Sequence, residues 1–149
     1  MVALSQRPLR DNPALARVSA TSQHRVVAWL TKEEHLARTP QEVFQHHAEA
    51  LGAEDIDAIV SDYADDAIFI TPEGVLRGKD GVRGAFEKLT SEVPGASWEL
   101  PTQLYEDDIL LLEWKATSSE SKVEDGIDTF VFRDGLIRVQ TVRYTLQRT

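Results

Sequence analysis

Apolar residues in the first half of the chain recur at intervals of three and four residues, the spacing of one face of an α-helix. The first such stripe consists of Phe44, His47, Ala48 and Leu51, and after a break at Gly52 a second consists of Ile56, Ile59, Val60 and Tyr63. His47 shares its stripe with large apolar residues, so the pattern predicts that its side chain points inward. A short apolar run then predicts a first buried strand over residues 67–71.

Two capping boxes, each a threonine followed three residues later by a glutamate, precede the first stripe. The second box begins at Thr39, and Pro40 occupies the first helical position, where its missing N–H costs nothing. We therefore predict that the main helix begins at Thr39. The first box, at Thr31, belongs to an added helical segment over residues 25–38. Residues 1–24 lack periodicity, and we expect them to form a flexible arm. Their composition, which contains arginine and serine and is poor in acids, also resembles that of a transit peptide.

A turn over residues 72–74 leads into a third predicted helix, whose inward positions are Val82, Phe86 and Leu89. Glycines at its entry do not form a phosphate-binding loop, because the GxxxxGK[ST] pattern is absent. Pro94 and Gly95 end this helix.

From Trp98 onward the apolar residues alternate with polar ones, which predicts strands. The four predicted strands cover residues 98–105, 109–118, 127–133 and 136–146. Asp134 and Gly135 predict a two-residue hairpin turn, since both residue types tolerate positive φ angles. Helices followed by consecutive hairpin strands indicate an α+β domain in which the helices cover one face of a curved antiparallel sheet.

The alternation also predicts which side chains face the interior. The inward positions are Leu110, Leu112, Trp114 and Ala116 in the second of these strands, Asp128, Phe130 and Phe132 in the third, and Gln140, Val142 and Tyr144 in the fourth. Asp128 would therefore be a buried carboxyl group.

Composition narrows the classes of function. The 149 residues carry a formal net charge of −9, which opposes binding to nucleic acids, and no apolar stretch is long enough to predict a membrane span. We expect a single cytoplasmic domain. The sequence contains no cysteine, which excludes disulfides and thiolate chemistry.

Three stretches, AEALGAEDIDAIVSDYADDAIFITPEG, RGKDGVRGAF and DGIDTFVFRDGLI, resemble the SnoaL-like branch of the nuclear transport factor 2-like superfamily. The resemblance covers about residues 40–146 and assigns residues 39–149 to the domain. It implies a cystatin-like roll, a cone-shaped antiparallel sheet wrapped by N-terminal helices around a deep pocket. The family includes ketosteroid isomerases, polyketide cyclases, epoxide hydrolases, dehydratases and non-catalytic domains, so the resemblance does not define an activity.

Compared with ketosteroid isomerases, His47 falls at the position of their oxyanion-hole tyrosine and Asp128 at that of their oxyanion-hole aspartate. Their catalytic base is replaced by Thr71, whose hydroxyl cannot shuttle a proton at neutral pH, so steroid isomerisation by that mechanism is disfavoured. The Asp-Arg-Asp constellation of epoxide hydrolases is also incomplete, because Arg143 replaces its acid on the last strand.

The candidate catalytic residues are therefore His47, Asp128 and a supporting Tyr63, and we expect the first two to be within hydrogen-bonding reach, directly or through one water. The candidate ligand-binding residues are Phe69, Thr71, Phe86, Trp114, Phe130, Gln140 and Tyr144. We expect no cofactor. We also expect no metal site, because His46 and His47 are adjacent and point in different directions on a helix. The same polar residues would also fit a purely structural cluster.

Three functions stay open on the sequence alone. They are acid–base catalysis on an apolar carbonyl compound, binding of a small apolar molecule without turnover, and assembly through the outer face of the sheet. Val131, Val139 and Thr141 alternate with the inward residues and would be half exposed in a monomer. We therefore expect a homodimer formed through that face.

Overall fold

The computed structural model describes residues 38–149, and the main helix, α1, spans Pro40–Gly52. As predicted, Thr39 is its N-cap: its hydroxyl oxygen accepts a hydrogen bond of 3.2 Å from the backbone N–H of Glu42. The buried positions of α1 are Val43, Phe44, His47 and Ala50. The predicted arm and all of the added helical segment except Arg38 lie outside the described residues.

Helix α2 spans Ile56–Ser61 and strand β1 spans Tyr63–Thr71. Gly52 is still helical, and the left-handed residue of the connection is Glu54, with φ 53°. Tyr63, predicted as the last position of the second helical stripe, is instead the first residue of β1. The helical and strand patterns both place an apolar residue there, so periodicity alone could not locate the boundary.

A short edge strand, β2 at Gly74–Arg77, pairs antiparallel with β1 and was not predicted. All four of its residues are exposed, so its sequence carries no alternation between buried and exposed positions. Helix α3 follows at Gly78–Glu92 and buries Val82, Phe86 and Leu89, as predicted.

Five further strands complete the fold: β3 Ser97–Glu106, β4 Ile109–Thr117, β5 Ser121–Arg133, β6 Leu136–Arg143 and β7 Leu146–Arg148. Asp134 and Gly135, with φ 54° and 74°, form the predicted turn between β5 and β6. β5 begins six residues earlier than predicted. The predicted strand over residues 136–146 is two strands, because the backbone N–H and hydroxyl of Thr145 donate instead to the Asp125 carboxylate, at 2.8 and 2.7 Å.

The strands form one curved, open sheet in the order β2-β1-β6-β5-β4-β3, with β7 continuing beyond β6 along β5. The expectation of a wholly antiparallel sheet is wrong at one pair, because β1 runs parallel to β6. Such a pair needs a long crossover connection, and here α3 and the four strands β2 to β5 supply it.

The core lies between the inner face of this sheet and the helices. The predicted inward residues of β4 and β5 are all buried, which confirms the α+β arrangement and the assignment of faces. Phe44 of α1 packs edge-to-face on Phe130 of β5, with ring centroids 5.6 Å apart, and Phe86 of α3 packs on Phe69 of β1 at 5.9 Å. No helix within residues 38–149 is long and apolar enough to cross a membrane.

Candidate functional site

A cavity of about 730 Å³ lies between α1, α3 and the inner face of the sheet. Of the residues predicted to bind a ligand, Phe69, Thr71, Phe86, Trp114, Gln140 and Tyr144 line it, and so do His47 and Asp128. Its walls are mostly apolar, with a few polar side chains at the inner end and at the mouth. Small-molecule sites commonly have this composition.

Two predicted site residues do not line the cavity. Phe130 has no exposed surface and packs behind His47, with ring centroids 5.5 Å apart. Tyr63, which is 1% exposed, lies behind Gln140. Alternation along a strand predicts the face on which a side chain lies, but not whether another side chain covers it.

Asp128 is the buried carboxyl group at the inner end of the cavity. The indole N–H of Trp114 donates to its Oδ1 at 2.9 Å, and the amide N–H of Gln140 donates to its Oδ2 at 3.0 Å. Burial nevertheless raises the pKa of Asp128 to about 7, against the two hydrogen bonds, which lower it. Near neutral pH this carboxyl group can therefore either hold or release a proton.

Gly126 positions the indole of Trp114, a contact that the sequence analysis missed. The two residues are paired across β4 and β5. A Cβ atom at position 126 would lie 2.2 Å from ring atoms of Trp114, so only glycine lets the indole rest against the strand backbone. An isolated glycine inside a strand was the available signal for this close approach.

His47 is enclosed by aromatic rings and is 3% exposed. Its ring centroid lies 5.4 Å from that of Phe86 and 5.9 Å from that of Tyr63. Nδ1 is buried and has no hydrogen-bond partner within the described part of the chain. Burial lowers the pKa of His47 to about 4; the charge of Asp62 raises it in part, and His46 lowers it further. The imidazole is therefore neutral at pH 7.

No direct hydrogen bond joins His47 to Asp128 among the contacts of residues 38–149. Trp114 and Gln140 occupy the two carboxyl oxygens of Asp128 instead. The structure thus brings the predicted pair to one cavity but gives each member different neighbours. Their catalytic roles stay predictions.

Tyr63 is connected to Asp128 through Gln140. The Tyr63 hydroxyl donates a hydrogen bond to Oε1 of Gln140, while the amide nitrogen of the same side chain donates to Asp128. Burial raises the pKa of Tyr63 well above its usual value, so the phenol keeps its proton. A continuous hydrogen-bonded chain therefore runs from β1 through β6 to β5.

Charged groups surround the mouth of the cavity. Tyr144 donates to Oε2 of Glu92 at 2.5 Å, and Lys88 lies 3.0 Å from a carboxylate oxygen of Glu73 and 3.9 Å from one of Glu92. Burial, with Glu92 next in importance, raises the pKa of Tyr144. Glu92 and Lys88 were not predicted, because charged residues on a helix are usually solvated.

A second polar cluster lies outside the cavity and includes His46. Asp62 is fully buried, accepts from Arg38 at 3.0 Å, and lies 2.7 Å from Nδ1 of His46. Arg38 also donates to the backbone oxygen of Gly135 at 3.0 Å. Within residues 38–149 no group of three or more histidine, aspartate or glutamate side chains could hold a metal ion.

The chain belongs to the SnoaL-like domain family, whose model matches residues 44–140. Several solved structures share its fold. An epoxide hydrolase/cyclase-like enzyme, SalBIII, described in pyran ring formation in the polyether salinomycin, is 16% identical, with a TM-score of 0.63 over 74% of this chain and 95% of that chain. AclR, a putative hydroxylase from Streptomyces galilaeus, is 13% identical, with a TM-score of 0.61 over 71% of this chain and 88% of that chain.

An NTF2-like protein of unknown function from Burkholderia xenovorans is 24% identical, with a TM-score of 0.59 over 71% of this chain and 82% of that chain. At these identities the similarities show the fold alone. No curated protein matches the sequence.

Proposed function

We propose that the protein binds an apolar, carbonyl-bearing small molecule in the cavity and performs cofactor-free acid–base chemistry on it, of the isomerase, cyclase or lyase type. The observation that carries this proposal is Asp128, a buried carboxyl group with a pKa of about 7 in a largely apolar cavity. A general acid or base is most effective when its pKa lies near the working pH. The SnoaL-like family and its cyclase-like structural neighbour support this class of reaction.

In the proposed reaction Asp128 takes the proton from the carbon next to the carbonyl group, and the electron pair of the broken C–H bond moves into an enolate. Returning the proton at another carbon would isomerise the substrate, and expulsion of a leaving group would make the protein a lyase. His47, neutral at pH 7, would contact the carbonyl region as a hydrogen-bonding group rather than as a strong base.

Binding without turnover is the second candidate, and the environment of Thr71 favours it. The Thr71 hydroxyl accepts from the backbone N–H of Glu73 at 3.1 Å and lies 3.2 Å from the Gly74 carbonyl oxygen, to which it donates. The hydroxyl therefore stabilises the turn between β1 and β2 and does not act as a catalytic base.

The test has two parts. Molecules that co-purify with the full-length chain are identified by native mass spectrometry and extraction. Exchange of the α-protons of a panel of cyclic ketones and enones is then followed by NMR in deuterated buffer. We expect exchange that falls about 100-fold or more in Asp128→Asn, the usual loss when a general acid or base is removed.

Asp134→Asn is the matched control, because Asp134 lies exposed in the β5–β6 turn, where asparagine also tolerates a positive φ. Exchange that persists in Asp128→Asn would exclude Asp128 as the proton carrier. A co-purified ligand without exchange by the wild-type protein would support the binding function instead.

A further inference from the structure

The hydrogen bonds between β1, β6 and β5 have a defined direction. The amide oxygen of Gln140 can only accept, so the bond with Tyr63 must use the phenolic proton. The amide nitrogen of Gln140 can only donate, so the bond to Oδ2 of Asp128 must use an N–H group. In both hydrogen bonds the donor therefore points along the chain of contacts toward Asp128.

The Tyr63 hydroxyl is the hydrogen-bond donor to the Gln140 amide oxygen. Gln140 is 2% exposed, so water does not compete freely for its oxygen. If the hydroxyl were absent, the amide oxygen would be a buried acceptor without its donor, and the amide would no longer be held in this direction. Turning the amide by 180° would place its oxygen against Asp128. A carbonyl oxygen facing a carboxyl group favours the protonated acid, which then donates to it.

We propose that Tyr63 is a positioning residue which, through Gln140, fixes the amide so that an N–H group faces Asp128 and keeps this carboxyl group a hydrogen-bond acceptor. The inference builds on the proposed role of Asp128 and adds what controls its proton. With Trp114 and Gln140 each donating to one oxygen, the remaining lone pairs are those through which Asp128 exchanges a proton with the cavity that it lines.

The other titratable groups around Asp128 do not supply this control. Among the charged residues of the lining, Glu73, Lys88 and Glu92 lie at the mouth of the cavity, and Arg143 of β6 is exposed. His47 from α1, Tyr63 from β1 and Tyr144 from the segment after β6 surround Asp128 in the cavity or behind its wall. All three are neutral at pH 7, because the pKa of His47 is lowered and those of both tyrosines are raised. The orientation of the Gln140 amide then decides whether an N–H group or a carbonyl oxygen faces the Asp128 carboxylate.

The experiment measures the titration of the Asp128 carboxyl carbon by NMR in the ligand-free, full-length chain, with Asp128→Asn used to assign the signal. Tyr63→Phe removes only the hydroxyl. We expect the Asp128 titration midpoint to rise by about one pH unit, a tenfold change in the proton equilibrium. Tyr105→Phe, which removes a hydroxyl from the half-buried face of β3, should leave the midpoint unchanged.

Gln140→Met removes the relay at nearly constant side-chain volume and should also raise the midpoint. In that background Tyr63→Phe should add nothing, since two residues that act through one contact are not additive. An unchanged midpoint in Tyr63→Phe, or an equal rise with and without Gln140, would overturn the proposal. If Tyr63→Phe does not fold, the Gln140→Met titration decides it. Because no substrate is present, these outcomes are independent of whether the proposed reaction occurs.

Discussion

At the scale of single residues, burial in one cavity shifts the pKa values of two ionisable groups in opposite directions. Asp128 and His47 line the same cavity, and burial disfavours the charged form of each. The carboxyl group therefore gains affinity for its proton, whereas the imidazole loses it. At a pH between these two pKa values, about 4 for His47 and about 7 for Asp128, both groups are mostly neutral, whereas free aspartate is charged.

These shifts predict a pH dependence of stability. The pKa of Asp128 is raised, so the folded state binds more protons than the unfolded chain, and Asp128 lowers the free energy of unfolding as pH rises from about 4 to about 7. The pKa of His47 is lowered, so His47 increases the free energy of unfolding as pH rises from about 4 to 6.5. In the wild type the two slopes offset one another.

Replacing Asp128 with asparagine should leave the His47 contribution unopposed. As pH rises from 4.5 to 6.5, the free energy of unfolding of Asp128→Asn, measured in urea, should therefore increase relative to that of the wild type, by on the order of a few kcal/mol. His47→Gln should change the slope in the opposite sense. Curves for both variants that run parallel to the wild-type curve would contradict the assigned shifts.

Periodicity could predict that His47, Asp128 and Trp114 face inward, because the backbone geometry of helices and strands sets the direction of successive side chains. It could not predict that Phe130 and Tyr63 lie behind the cavity wall. It also missed the partners of Asp128, since hydrogen bonds between side chains depend on depth along each strand and on contacts such as that of Gly126 with Trp114.

At the scale of elements, one buried carboxylate connects segments that are distant in the chain. Asp62 lies between α2 and β1, accepts from Arg38 just before α1, and contacts His46 within α1. Its backbone oxygen accepts from the N–H of Ile137 in β6 at 2.7 Å. The cluster therefore fixes the start of α1 against the β5–β6 hairpin.

Asp62→Asn should lower the free energy of unfolding by roughly 1–3 kcal/mol, measured in urea, because it removes a charged acceptor from a buried position. Arg38 and His46 are partly exposed and can regain water, which keeps the loss below that of a fully buried pair. The control is Asp57→Asn, whose exposed ion pair with Arg83 at 2.8 Å should contribute less than about 1 kcal/mol. Equal losses in the two variants would exclude a structural role for the cluster.

Local sequence predicted elements well where burial alternates and poorly where it does not. The alternating strand β4 was placed to within one residue, whereas the uniformly exposed β2 was missed. The parallel pairing of β1 with β6 could not be read from either strand, because it depends on the path of the whole chain.

At the scale of the whole molecule, the outer face of the sheet carries two adjacent apolar rows. One row consists of Ile68, Val139, Val131 and Ile109, and the next consists of Ile70, Thr141, Thr129 and Leu111. Val131, Val139 and Thr141 are half-buried, while Ile109, Ile70 and Leu111 are 44%, 39% and 36% exposed. We propose that a second copy of the chain covers this face in a homodimer.

Light scattering should then give the mass of a dimer at micromolar concentration, with an interface of about 1,200–2,000 Å² in total. Leu111→Lys would place a charge in the second row and should produce monomers. Gln45→Lys makes the same charged residue on the exposed side of α1 and should leave the mass unchanged. A monomeric wild-type mass at high micromolar concentration would exclude the dimer.

The backbone ladder of the sheet has a consequence for how this fold diverges. Strands β4, β5 and β6, whose inner faces line the cavity, are joined to one another by main-chain hydrogen bonds. These bonds do not depend on which side chains point into the cavity. Selection can therefore exchange the chemistry of the interior one position at a time while the scaffold persists. Structural neighbours that keep the fold at 13–24% identity are what such a separation of scaffold from chemistry produces.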